Sequence, residues 1–376
     1  MWKNTPFEKC LQKTKVPHKL PKKEYLESGK FPVVSQEATL ISGYHNEQTH
    51  VFNVSKPVVI FGDHTQVLKY VDFDFVVGAD GVKILLPIEG VDTKYFYYLL
   101  QALMPKGKGY ARHYRLLKEL NISYPPLAEQ QRIVAKLDAA FAEIDAAIEV
   151  ANAKEAEVQK LEGSLLSSSL GGNAMMWKTV KLDEIVSLSM GKTPSRGNAK
   201  FWDKEKISKN IWLSIADLSA LGGLYIEDSK EYVSDEGAKL FKTVPSETLV
   251  MSFKLSIGKL AITKCELRTN EAIAALPIKD EKLITKEYLY YFLSSIDWDA
   301  LAGNDVKVKG KTLNKAKLKE IPISYPPLAE QQRIVAKLDA ASSEFKNANE
   351  SIIKCKANYL ALKSAILAQE LQSEAA

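Results

Sequence analysis

The sequence predicts an α+β protein: two mixed α/β globular domains separated by two long α-helices that form an antiparallel coiled coil, with a pseudo-two-fold plan. Three observations carry this. Residues 122–140 read ISYPPLAEQQRIVAKLDAA, and residues 323–341 repeat all nineteen letters 201 positions later. That period is far too long for a solenoid or propeller, whose repeats run to roughly 20–50 residues. Each copy opens a stretch with apolar residues at steps of three and four, the seam of a coiled coil. The segments before the copies hold β-rich apolar runs broken by Gly, Asp and Pro.

The plan divides into a globular domain at 1–124, a helix at 125–174, a second domain at 175–325 and a second helix at 326–376. Met1-Trp2-Lys3 and Met176-Trp177-Lys178 start the two domains alike. Strands are expected in KPVVIFG (56–62), FDFVVGADGVKILLP (73–87), ETLVMSF (247–253) and KLAIT (259–263). Tyrosine-rich helices follow at 93–100 and 285–293, and their aromatics at helical spacing read as core in preference to base-stacking platforms. At Tyr124-Pro125-Pro126 the prolines favour a hinge into the first turn of a helix. In the first helix the stripe runs Val134, Leu137, Phe141, Ile144, Ile148, Ala151, then Val158, Leu161, Leu165. In the second it runs Leu338, Ala341, Phe345, Ala348, Ile352, Cys355, Tyr359, Leu362, Ile366. Each helix of about 40 residues would be roughly 60 Å long. Gly171 and Gly172 permit the first to stop.

Hydrophobic content of 46% with 26% charged residues is ordinary for a globular protein with real cores. No apolar run is long enough for a membrane span and no signal peptide is visible, so a cytoplasmic location is expected. Three distant cysteines without CxxC spacing favour reduced thiols over disulfides or a zinc site. The net charge of +5 is unevenly spread. Residues 1–121 carry 17 Lys/Arg against 12 Asp/Glu and residues 176–321 carry 24 against 20, while 122–175 carry 4 against 8. The positive excess thus lies in the two unlike segments, where a polyanion would be drawn.

The order of variable domain, helix opening PPLAEQQRIVAKLD, second variable domain and second such helix resembles the specificity subunit of type I restriction–modification enzymes, over essentially the whole chain. The resemblance implies two target-recognition domains, each reading one half of a split, asymmetric site in double-stranded DNA. It implies that the helices are spacers that dock methyltransferase (modification) subunits, two of them, alongside restriction (endonuclease/translocase) subunits. No cofactor is expected in this chain; S-adenosylmethionine and ATP/Mg would belong to the partners.

Candidate DNA contacts sit in the loops before the hinges. Lys106, Lys108, Tyr110, Arg112, His113 and Arg115 concentrate cationic groups and an aromatic, with Gly107 and Gly109 allowing close approach to a phosphate. Lys307, Lys309, Lys311 and Asn314 are the counterpart in the second half. Lysines mostly position the backbone, whereas Arg112, His113 and Asn314 suit base edges. Gly62, Asp63, His64 and Thr65 form a polar tip on an apolar strand, as do residues 78–81; tight-turn chemistry explains both equally well. In the second half, Lys192, Thr193, Ser195 and Arg196 form a flexible basic loop, and Ser252, Lys254 and Lys259 flank a strand turn. These last two regions resemble contact loops of the family.

Enzyme signatures fail. Gly191-Lys192-Thr193 and Gly310-Lys311-Thr312 imitate the end of a P-loop, but Val186 and Asp305 stand where its first glycine belongs. Ser-Tyr-Pro-Pro lacks the polar residue directly before the prolines that amino-methyltransferases use. His45, His50, Asp63 and His64 have no supporting metal-ligand spacing. The expectation is a non-catalytic subunit; the competing reading is a two-domain protein-binding scaffold with a coiled-coil spacer and no DNA role.

Overall fold

The structure is a computed structural model that describes residues 2–79, 81–104, 112–171, 177–302, 306–307, 310–311 and 313–372. The chain divides into two compact units, Met1–Ala153 with Ile352–Ala376, and Lys154–Ser351.

In the first unit an antiparallel sheet runs in the order Leu11–Gln12, Val82–Pro87, Val58–Gly62, Leu68–Val71. Val58–Gly62 is buried along its whole length, as its unbroken apolar run requires of a central strand. A second sheet centres on Phe75–Gly78, which pairs in parallel with Lys19–Leu20 and Phe31–Val34. Gly43–His45 extends that sheet at its edge. Asp92 caps the helix Thr93–Leu103 by accepting from the Lys94 and Tyr95 amides, which fixes where the helix starts. Its Tyr95, Phe96 and Tyr98 are core residues, in agreement with their helical spacing.

The second unit repeats this frame with different contents. Leu249–Ser252 lies between Ile273–Leu276 and Leu260–Thr263 in a five-stranded sheet, and Ile211–Leu213 centres a three-stranded one. The helix Lys286–Ser294 is capped by Thr285 and buries Tyr288, Leu289, Tyr291 and Leu293. A short ribbon closes each body onto its hinge. Lys3–Pro6 pairs with Asn121–Tyr124, and Lys178–Lys181 with Pro322–Tyr325.

The long helices run Leu127–Leu170 and Leu328–Gln372. Within the first unit Lys136 meets Glu370 at 2.6 Å, Asp145 meets Lys363 at 2.8 Å and Asn152 meets Lys356 at 3.3 Å. Numbers rise on one helix as they fall on the other, so the pair is antiparallel. Phe141 and Ile144 share the core there with Leu367 and Leu371. In the second unit Leu165, Leu166 and Leu170 share a core with Ile334 and Leu338.

The expected seam needs one correction. Cys355 and Leu362 face outward, and Lys356 and Lys363 take the inner positions between Ile352, Tyr359 and Ile366. Both choices keep a heptad, but only the observed one delivers the amines to Asn152 and Asp145, and it lays Lys363 over the Phe141 ring at 4.7 Å. Leu161, expected in the first stripe, is also exposed.

Candidate nucleic-acid interface

The nineteen repeated residues build the same hinge in both units. Gln130, fully buried, donates to the carbonyls of Gly90 and Pro125 and accepts from the Asp92 amide at 2.8 Å. Gln331 does the same with Leu283, Pro326 and the Thr285 amide. A glutamine suits this place because one side chain supplies both donors and the acceptor. Two helical turns on, the Tyr98 hydroxyl donates to Asp138 and the Tyr291 hydroxyl to Asp339, each at 2.5 Å. Burial, reinforced by these carboxylates, pushes both phenols far up. The body, the tyrosine helix and the long helix are therefore locked together identically in the two units.

On this frame the candidate loops of the first unit converge. The His113 amide donates to the Asp63 carbonyl at 2.7 Å, and the Tyr114 amide to the Asp63 carboxylate at 2.8 Å. Thr65 donates to the Gln36 carbonyl, and the Asp63 amide to the Gly81 carbonyl. Gly81 adopts φ +83°, and a Cβ there would strike the Gln36 side chain, so this turn requires glycine. Lys69, 5% exposed, donates to the Ser35, Thr39 and Leu40 carbonyls and fixes the neighbouring loop.

This geometry sorts the expected contact set by exposure. Asp63 and His113 are buried, spent on tying the strand end to the loop, and Gly62 is buried with them. Arg112, Arg115 and Thr65 are exposed and His64 is partly so. Lys106, Lys108 and Tyr110 lie outside the described residues.

The second unit shows a matching tie. The Leu313 amide donates to the Phe253 carbonyl at 3.0 Å, just past the equivalent central strand. Ser252, expected as a contact, is fully buried; its hydroxyl bonds the Ser256 carbonyl and accepts from the Lys259 amide, closing the turn. Gly258 has φ +80° beneath Trp298, where any Cβ would collide. Lys254 is partly exposed and Lys259 exposed. Asn314 is exposed but caps the helix Lys315–Lys319 by accepting from Lys317. Lys309 lies outside the described residues, as do the side chains of Lys307 and Lys311.

The Lys192–Arg196 loop adjoins this turn through the Phe253 amide, which donates to Ala272, and through Thr193, which donates to Glu271. Trp212 holds the loop by donating to the Lys192 carbonyl at 3.1 Å. Lys192 and Ser195 are exposed. Arg196 is engaged: its guanidinium grips Glu231 and stacks over Trp202 at 4.1 Å.

Sequence reading missed the segment Asp203–Asn210. It borders a cleft of about 430 Å³ lined by Arg196, Trp202, Lys204, Lys230 and Tyr232. Ser208 is tied to Asp203 and to the Val233 carbonyl, and Lys206 to the Ser229 carbonyl. Lys206 and Lys209 adopt left-handed backbone, and Ile207 at the tip is 80% exposed. Alternating charge around one isoleucine gave no sign of this in the sequence. Below it, Asp217 binds Ser214, Ser229 and the Lys230 amide. Burial raises its pKa, but these donors outweigh that and hold the carboxyl below its ordinary range.

No helix among the described residues is long and apolar enough to cross a membrane. A family model described as the type I restriction modification DNA specificity domain matches residues 11–159 and again 175–370. The specificity subunit of the Escherichia coli type I restriction enzyme EcoR124I/EcoR124II is 30% identical over 341 residues, 84% of this chain and 80% of that one. The MjaIX specificity subunit of Methanocaldococcus jannaschii is 28% identical over 170 residues, 43% of this chain and 37% of its own. In fold, the chain resembles one from a structure of a type I restriction–modification system solved to explain complex assembly and conformational transition. The TM-score is 0.72 at 19% identity, over 98% of this chain and 97% of that one. A domain matched twice across most of the length, on a hinge built twice from the same residues, makes this chain a member of the type I restriction–modification DNA specificity family, a specificity subunit with two target-recognition domains.

Proposed function

We propose that the bodies at 1–124 and 175–325 each read one half of a bipartite, asymmetric site in double-stranded DNA, and that the helices at 125–174 and 326–376 are spacers that dock two methyltransferase subunits. One observation carries the reading. The loop before each hinge is tied to the end of a central strand by an equivalent backbone bond, His113 to Asp63 and Leu313 to Phe253, while the side chains around the two ties differ. A shared mount with unlike surfaces suits two readers of unlike half-sites.

The first reader's contacts comprise His64, Thr65, Arg112 and Arg115 with Lys106, Lys108 and Tyr110. The second's comprise Lys192, Thr193, Ser195, Arg196, Lys254, Lys259 and Asn314 with Lys307, Lys309 and Lys311, extended by Lys204 and Lys209 beside Ile207. Lysines position the duplex through phosphates, and Arg112 and Asn314 suit base edges.

Docking in duplicate has its own support. Gln131, Arg132, Ala135 and Lys136 are exposed, and so are the identical Gln332, Arg333, Ala336 and Lys337. Packing within a unit does not demand identity at exposed positions, so two copies of one partner account for it. Methyl transfer with S-adenosylmethionine and ATP/Mg-driven cleavage then belong to the modification and restriction subunits, in a non-catalytic, cytoplasmic role for this chain.

Methylated positions, mapped genome-wide in cells with and without the gene, test the reading. A split motif with two unlike halves is expected only where the gene is present. Exchanging residues 1–124 for those of another family member should alter one half of the motif alone; a change in both halves, or no motif, overturns it. Salt-insensitive binding to duplex DNA would favour the protein scaffold instead.

A further inference from the structure

Away from the reading loops, three of the chain's five histidines meet on the outer sheet of the first unit. His45 ends the edge strand Gly43–His45, and His50 ends the single 3₁₀ turn Gln48–His50 that follows. This brings His45 Nε2 to 3.0 Å from His50 Nδ1. The opposite nitrogen of His50 lies 3.3 Å from the Glu47 carboxylate. His18, from a separate segment, lies flat against the His50 ring at a centroid distance of 4.1 Å.

We infer that His45, Glu47 and His50 form a binding site for a borderline divalent transition metal ion of the zinc class. One ligand atom from each of the three lies within 4.8 Å of the other two. Zinc–nitrogen bonds of 2.0–2.1 Å put two tetrahedral ligands about 3.3 Å apart. The two imidazole nitrogens already stand near that separation and need only a small outward shift. Imidazole and carboxylate together suit zinc, copper or nickel better than magnesium or calcium.

Glu47 has a double value. Its carboxylate faces His50 Nε2, and with the ring proton on that nitrogen Nδ1 would turn its lone pair to the ion, the usual arrangement of a carboxylate behind a metal-bound histidine. Its side chain is 64% exposed, so it can also swing toward the ion itself. His18 covers one face of the His50 ring. The ion would join the end of the edge strand to the segment leading into Val51–Phe52, which pairs with the central strand Phe75–Gly78. It would therefore brace this sheet, and the first reader with it.

Zinc titrated into the untagged full-length chain by calorimetry, with cobalt absorption as a second probe, tests the site. One ion per chain, a raised unfolding temperature reversed by chelator, and cobalt bands of nitrogen–oxygen type are expected. His45→Ala and His50→Ala should abolish all three. Glu47→Gln, a surface change that leaves the body folded, should weaken binding about 10–100-fold. Unchanged binding in the histidine variants, or a thiolate-to-cobalt charge-transfer band pointing to a cysteine, would overturn the assignment. So would zinc that binds without shifting the unfolding temperature, because the ion would then not brace the sheet.

Discussion

Asp63 holds both the His113 amide, through its carbonyl, and the Tyr114 amide, through its carboxylate. A residue that looks like a contact from its place on a strand tip is buried and mounts the loop that precedes the hinge. Asp63→Ala leaves the part-buried Tyr114 N–H without its acceptor, at an expected cost of about 1–3 kcal/mol in denaturant unfolding. Recognition of one half-site should weaken while the other is retained. Full discrimination of both halves by the variant would separate this tie from DNA reading.

Arg196 is balanced between Glu231 and the exposed surface. Its guanidinium is gripped by the carboxylate and stacked on Trp202, both on the rim of a cleft of mixed charge. Glu231→Gln removes the competing charge and keeps the shape. Tighter duplex binding is expected, with a salt slope steeper by about 0.9, the value of one added phosphate contact. Arg196→Ala in the same background should return the slope to its starting value. An unchanged slope in Glu231→Gln would keep Arg196 out of the interface.

Gln130 and Gln331 make equivalent triads of hydrogen bonds with no exposure to water. Replacing either by alanine leaves one buried carbonyl, that of Pro125 or Pro326, without its donor and frees two part-buried groups that water can reach. Each substitution should therefore destabilise its own unit by about 1–3 kcal/mol. Amide hydrogen exchange reports this locally: Asp92 should lose protection in Gln130→Ala, and Thr285 in Gln331→Ala. Equal loss at both hinges in either variant would show that the units do not behave separately.

The frame was legible because periodicity and repetition survive in one dimension. The hinge at Tyr124, the buried tyrosines of 93–100 and the antiparallel helix pairing all follow from spacing. The site was less so, since burial depends on which turns meet. Asp63, His113 and Ser252 carry polar groups in loops or at a strand end, yet each satisfies a neighbouring backbone. Likewise Lys356 and Lys363 displaced Cys355 and Leu362 from the seam, because only the partner helix reveals Asn152 and Asp145. Ile207 was invisible for the opposite reason: its exposure depends on left-handed lysines that no pattern announces.

Lys69 offers a test of the first body by pH alone. Burial pulls its pKa from 10.5 down to about 8, against an opposing pull from Glu37. In the unfolded chain a lysine keeps its proton to about pH 10.4. Between those values the unfolded state binds the extra proton, so stability contributed by this site rises with pH across the window and is flat below it. The gain is on the order of 3 kcal/mol, at about 1.4 kcal/mol per unit. Lys69→Met abolishes the titration while keeping the apolar stem, and tyrosines and other lysines titrate alike in both proteins. The stability difference, wild type minus variant, should therefore rise steadily from pH 8 to 10.5. A constant difference would mean that the Ser35, Thr39 and Leu40 carbonyls hold the ammonium charged despite its burial.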